Sequence, residues 1–157
     1  TSNWRLSGFE KVRFRMVFTL GIAALAALGV AQTAPPPALA QARIGTLLSG
    51  KPIRILDAER GTFDHSGIVT SARVDGCDLV LANSGLEPAS LTVPLGDLRF
   101  VQGDSGMVEI TRIPTDSPSI IFTVGDAAYD ETINLLTEAA TGCGAHLIGP
   151  PALLMTR

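Results

Sequence analysis

From residue 67 onward the apolar positions fall into short runs with a period of two, and the last run changes to a period near 3.6. The short runs cover residues 67–74, 78–83, 90–93, 98–102, 107–113 and 119–124. Alternation is plain at Leu79 and Leu81, at Leu98 and Phe100, and at Val108 and Ile110. That is the pattern of strands with one face buried and the other wet. The separators are rich in turn residues: Asp75-Gly76, Asn83-Ser84-Gly85, 94–97, 103–106 and 114–118. Asp-Gly between two such runs is a tight-hairpin signal. No helical pattern interrupts the series, which excludes a parallel sheet built on helical crossovers.

The change of period predicts a helix over 127–141. Tyr129, Ile133, Leu136 and Ala140 recur on one face, with Asn134, Thr137, Glu138 and Thr141 largely outside it. Asp126 is placed to cap the helix, and Asp130 and Glu131 add negative charge to its early turns. Gly142 stands where a left-handed residue would end it. The strands need something to pack against, and this helix supplies it. The expected class is α+β: an antiparallel meander of about six or seven short strands, bent into a sandwich or open barrel and capped by one C-terminal helix. That element order is similar to the pleckstrin-homology-like superfold over residues 67–143. The likeness is one of order alone and implies no function.

Upstream the pattern is different. Residues 11–15 (KVRFR) are basic, 16–31 are apolar without a charge, Pro35 to Pro37 follow, and then come small residues ending in Ala40, Gln41 and Ala42. Basic segment, short apolar core and small residues at a cut make up a secretory signal. The apolar run falls short of the ~18 residues of a membrane span. Cleavage is expected after Ala42, with Ala40 as the neighbouring alternative. Translation from Met16 would remove the basic segment, and an uncleaved signal would leave the protein anchored. The expected layout is an extension and signal over 1–42, a short hairpin or arm over 43–65, and a β-rich domain over 66–157. The arm would hold the apolar runs 44–48 and 53–56 around Ser49 to Pro52. The tail 145–157 carries Leu147, Ile148, Leu153 and Leu154 around Pro150-Pro151, as a last extended piece or a segment for a partner.

An exported chain changes the reading of Cys77 and Cys143, its two cysteines. An even count in an oxidising compartment implies one disulfide. Their spacing suits neither redox catalysis nor zinc. Such a bond would pin the helix to the sheet and stabilise the fold by roughly 4 kcal/mol.

Composition narrows the function. A net charge of −3 gives no reason to expect nucleic acid. Aromatics at 5% disfavour a ring-lined groove for sugars or peptides, and the low charged fraction of 17% with 16 Gly and 10 Pro suits strands and turns.

Candidate chemistry is sparse. Asp64, His65 and Ser66 hold the residue types of a hydrolase triad, but adjacent strand positions point in alternate directions and the nucleophile-elbow pattern is missing. Asp57, Glu59, Asp64 and His65 match no metal-loop spacing, and His146 stands alone. The 103–106 turn lacks the lysine and helix of a phosphate loop. Arg73, Arg99 and Arg112 would form an anion patch if their strands were neighbours; Arg54 and Arg60 are scattered elsewhere. The expectation is therefore an exported, non-enzymatic binding or interaction module of the bacterial cell envelope, periplasmic or secreted, with no cofactor. Its partner would be another envelope protein pairing with an open strand edge. The alternatives are a carrier of an apolar small molecule, with a pocket beside Tyr129 and Ile133, and a small hydrolase.

Overall fold

The structure, a computed structural model, describes residues 33–57, 62–112 and 117–148. The compact body begins at Thr33. Its elements are α1 (Ala38–Leu48), β1 (Pro52–Asp57), β2 (Thr62–Asp75), β3 (Asp78–Ser84), β4 (Ser90–Pro94), a 3-10 turn (Leu95–Asp97), β5 (Leu98–Asp104), β6 (Met107–Arg112), β7 (Ser119–Thr123) and α2 (Asp126–Gly142). The seven strands form one antiparallel sheet in the order β4-β3-β2-β1-β7-β6-β5. Two meanders, β1 to β4 and β5 to β7, are joined where β1 pairs with β7. The expected α+β meander with a C-terminal capping helix is the observed fold.

Turn chemistry sets the registers. Asp75 pairs with Asp78 across Gly76-Cys77, and Asp104 pairs with Met107 across Ser105-Gly106. Each is a two-residue hairpin: Gly76 takes positive φ at the first position of one loop, and Ser105 and Gly106 both take it in the other. One core cluster draws side chains from every strand: Ile53, Val69, Leu81, Val93, Leu98, Ile110 and Phe122 all belong to it. The edge strands β4 and β5 thus reach the same core, so the sheet curls around it. Ile133, Leu136, Ala139 and Ala140 of α2 fill it from one side.

The ends of α2 differ from the expected caps. Gly125, not Asp126, is the residue before the first turn, and Asp126 is the first helical residue. The backbone N–H groups of Val124 and Gly125 both donate to the Gly106 carbonyl, which turns the chain one residue earlier. At the other end Gly142 is the last helical residue, and Gly144 takes the left-handed conformation with φ 90°. Gly144 N–H donates to Thr141 C=O, and Ala145 N–H to Ala140 C=O. This is a Schellman closure two residues beyond that expected.

The larger difference lies upstream. Residues 44–48 are not a strand of a loose hairpin; they are the second half of α1. Ala38, Leu39, Ala40 and Gln41 are strong helix formers directly after three prolines, and Ile44, Leu47 and Leu48 follow at helical spacing. The small residues that suggest a cleavage signal suit a helix start equally well. Ile44, Leu47 and Leu48 are buried. Arg43 makes two hydrogen bonds to the Glu131 carboxylate, at 2.5 and 2.8 Å, and ties α1 to α2. That contact lowers the Glu131 carboxyl pKa. Residues 52–57 are β1, held between β2 and β7 in mid-sheet. The expected basic and apolar segments at 11–31 lie outside the described residues, as does the tail from 149.

Cys77, in the β2–β3 turn, and Cys143, at the end of α2, form a disulfide with Cα atoms 5.6 Å apart. The 3-10 turn between β4 and β5 passes the same point. Leu95 N–H donates to Cys77 C=O at 2.8 Å, and a Cβ on Gly96 would stand 2.6 Å from the Cys143 carbonyl oxygen. Among the described residues no helix is long and apolar enough to cross a membrane.

Two stability tests follow from these contacts. The bond closes a separation of 66 residues, so Cys77→Ala with Cys143→Ala should cost about 4 kcal/mol and lower Tm by roughly ten degrees or more. An unchanged melting curve would mean the bond contributes nothing. A Cβ at Gly45 would meet the Ala72 carbonyl oxygen at 2.7 Å. Gly45→Ala should therefore destabilise by about 1–2 kcal/mol despite its better helix propensity, read from a urea midpoint. A gain in stability would show that α1 does not lie this close to β2.

Candidate functional site

The bulge between β5 and β6 brings two arginines together. Leu98 pairs with Arg112 and Phe100 with Thr111, so Arg99 is an extra residue on β5. Two residues of one strand then oppose one of its partner, and the strand bends there. On β6 the core-facing row is Val108, Ile110 and then Arg112, by strict alternation. Val108 and Ile110 are buried and Arg112 is half-buried, so Arg112 occupies the rim of the core. Arg99 is half-buried beside it, and its carbonyl accepts from Ile148 N–H at 2.7 Å. Next to Arg112, the Thr111 and Ser119 hydroxyls are hydrogen-bonded at 2.9 Å and fasten the end of β6 to β7.

The Nε atoms of Arg99 and Arg112 are both shielded from solvent and lack a hydrogen-bond partner. Neither guanidinium has an acidic partner among the described residues. Like charges on cross-strand neighbours oppose folding, and a buried donor without an acceptor adds to that cost. Two half-buried guanidinium groups on neighbouring strands, each with an Nε shielded from solvent and unpartnered, have the chemistry to hold an oxyanion.

Of the expected anion patch, Arg99 and Arg112 are neighbours and Arg73 is not. Arg73 is exposed on β2, opposite Val80 of β3, and β1 and β7 separate β2 from β6. The alternation of β2 also turns Arg73 to the face opposite Ala72 and Val74. The residues expected to flank a ligand pocket are occupied by packing. Ile133 is in the core, and the Tyr129 ring edge lies 3.1 Å from where a Cβ on Gly103 would stand. Partial burial, then the charges of Asp104 and Asp130, raise the Tyr129 pKa. An open groove of about 630 Å³ lies elsewhere, between α1 and β2, lined by Ala42, Gly45, Ser49, Ala72 and Arg73 among others. It went unseen in the sequence because α1 did.

His65 and Ser66 are exposed on successive positions of β2, opposite Ile55 and Arg54, and so face opposite sides. The side chains of Asp57 and Asp64, and Glu59 as a whole, lie outside the described residues. No group of three or more His, Cys, Asp or Glu suited to a metal occurs among the described residues. No protein-family model matches the chain, and no curated protein matches it significantly.

If the two guanidiniums repel without compensation, removing one relieves the fold. Arg112→Leu extends the apolar row of Val108 and Ile110, and should leave Tm unchanged or raise it by about one or two degrees in phosphate-free buffer. A drop of several degrees would mean that Arg112 is held by structural contacts and is not a vacant charge.

Proposed function

We propose that the chain is an exported, non-enzymatic binding module of the bacterial cell envelope that holds an oxyanion between Arg99 and Arg112. The observation that carries this reading is the pair of shielded, unpartnered Nε atoms at the β5–β6 bulge. Two positive charges match a dianion such as phosphate better than a single carboxylate. Residence in the periplasm or outside the cell is supported by the Cys77–Cys143 bond, which persists in oxidising compartments, and by the leader pattern at 11–31.

Strand-edge pairing with a partner protein has weaker support. Asn83 N–H donates to Ala89 C=O, and Leu95 N–H to Cys77 C=O. These bonds turn the odd-numbered residues of β4 toward β3 and leave Ser90, Thr92 and Pro94 facing out. Pro94 has no N–H, so the edge offers few donors, as short protected edges do. The β5 edge already meets its own chain at Ile148. The carrier reading has the groove between α1 and β2 in its favour, lined by small side chains together with Gln41, Arg73 and Val74 and open to solvent.

The test is a titration of the ¹⁵N-labelled domain with inorganic phosphate, following the Arg Nε–Hε resonances. Arg99 and Arg112 should shift together and saturate with a Kd of about 1 mM or tighter. Acetate should bind more weakly, and exposed Arg73 serves as the internal reference. Linear shifts of equal size at all three arginines would sink the proposal. So would saturation that survives Arg112→Lys with Arg99→Lys.

A further inference from the structure

We propose that leader cleavage follows Ala31, so that the exported protein begins at Gln32, and that the later alanines, Ala40 and Ala42, belong to the folded domain.

The sequence rule for a cut asks for small residues one and three positions before it. Three places at or beyond the end of the apolar run satisfy it: Gly29 with Ala31, Ala38 with Ala40, and Ala40 with Ala42. The fold separates them. A cut after Ala42 falls in the middle of α1 (Ala38–Leu48). The remainder would be less than two helical turns, too short to hold its shape without the missing half. Yet this remainder carries Ile44, Leu47 and Leu48 into the core and lays Gly45 against the Ala72 carbonyl. Thr46 Oγ1 donates to the Ala42 carbonyl at 3.0 Å, so the discarded residues hold the retained ones.

The contacts continue upstream of α1. Gln41 donates its side-chain amide to Pro36 C=O at 2.8 Å and its backbone N–H to Pro37 C=O at 3.0 Å. Pro36 is buried. Ala34 N–H donates to Gly142 C=O at 2.9 Å, one of the carbonyls left open at the end of α2. The compact body begins at Thr33. A cut after Ala40 loses Ala34, Pro36 and the first turn of α1. A cut after Ala31 keeps every one of these contacts and removes the whole apolar run.

The experiment is expression of the full chain in a bacterial export host, recovery from the periplasm, and intact mass with sequencing of the N-terminal peptide. The expected product starts at Gln32, with or without loss of one ammonia from cyclisation of that glutamine. Ala31→Arg should make the uncleaved precursor the main species, because a long charged side chain replaces the small residue at the cut. Ala42→Arg, at an exposed position of α1, should leave the N-terminus unchanged. A product starting at Gln41 or Arg43 would overturn the proposal, as would a wild-type chain recovered uncleaved. A normal start at Gln32 in the Ala31→Arg variant would overturn it too. The readout is independent of anion binding, so it stands or falls apart from the site at Arg99 and Arg112.

Discussion

The fold depends on the junction where Cys77, Cys143 and the 3-10 turn Leu95–Asp97 meet. The sheet has two open ends, β4 and β5, and they are consecutive in the chain. Only three residues separate them, so the sheet must curl until its ends approach one another. That curl creates the inside on which α2 lies. At the junction the β2–β3 turn, the β4–β5 turn and the last turn of α2 are held within a few bonds of one another. Glycine at 96 lets the chain pass the Cys143 carbonyl, and Gly144 closes the helix at the same place. A cross-link there restricts the unfolded chain over a long loop and fastens the lid to the cup.

Legibility followed the strength of local pattern. The strands β2 to β7 were legible because each is a short apolar run bounded by turn residues. Most alternate in hydrophobicity, and β7, Ser-Ile-Ile-Phe-Thr, is continuously apolar at its centre, as a strand inside the sheet should be. α2 was legible because its apolar face repeats over four turns. α1 and β1 were not. α1 is short, and its first half is alanine-rich without a face of its own. β1 reads as Ile-Arg-Ile-Leu, too short to distinguish a central strand from an edge. Its place between β2 and β7 is a fact of topology that no local pattern encodes. The arginine pair was half legible. Arg99 and Arg112 lie one hairpin apart, so a two-residue turn at 105–106 brings their strands together. Judging Arg73 required the strand order, and the meander from β1 to β4 carries it to the other side of the sheet.

The arginine pair is a departure from how the rest of the sequence is arranged. Elsewhere polar groups are answered locally. Asn83 accepts from Leu86 N–H and directs its amide to the carbonyls of Pro88 and Ala89, and Thr132 donates to Ala128 C=O. Arg43 has Glu131. Against that background, two neighbouring cations at the rim of the core are an inconsistency among levels of design, and such inconsistencies concentrate at functional positions. The β-bulge belongs to the same argument. A regular β5–β6 ladder would have alternated Arg99 away from Arg112, and the extra residue brings both to one place.

The proposed export would give the order of these events a physical meaning. A disulfide such as the one that closes the sheet around α2 does not persist in a reducing cytoplasm. Without the bond the closure rests on contacts alone, including those of α1. Under the cleavage proposed after Ala31, residues 33–48 would stay tethered at one end until release at Gln32, and Ala34 would then be free to reach Gly142 and Arg43 to reach Glu131. Ala34 and Arg43 both dock on α2, the helix that Cys143 directly follows. On that proposal the elements that complete the fold would become available last, in the compartment where the cross-link is stable.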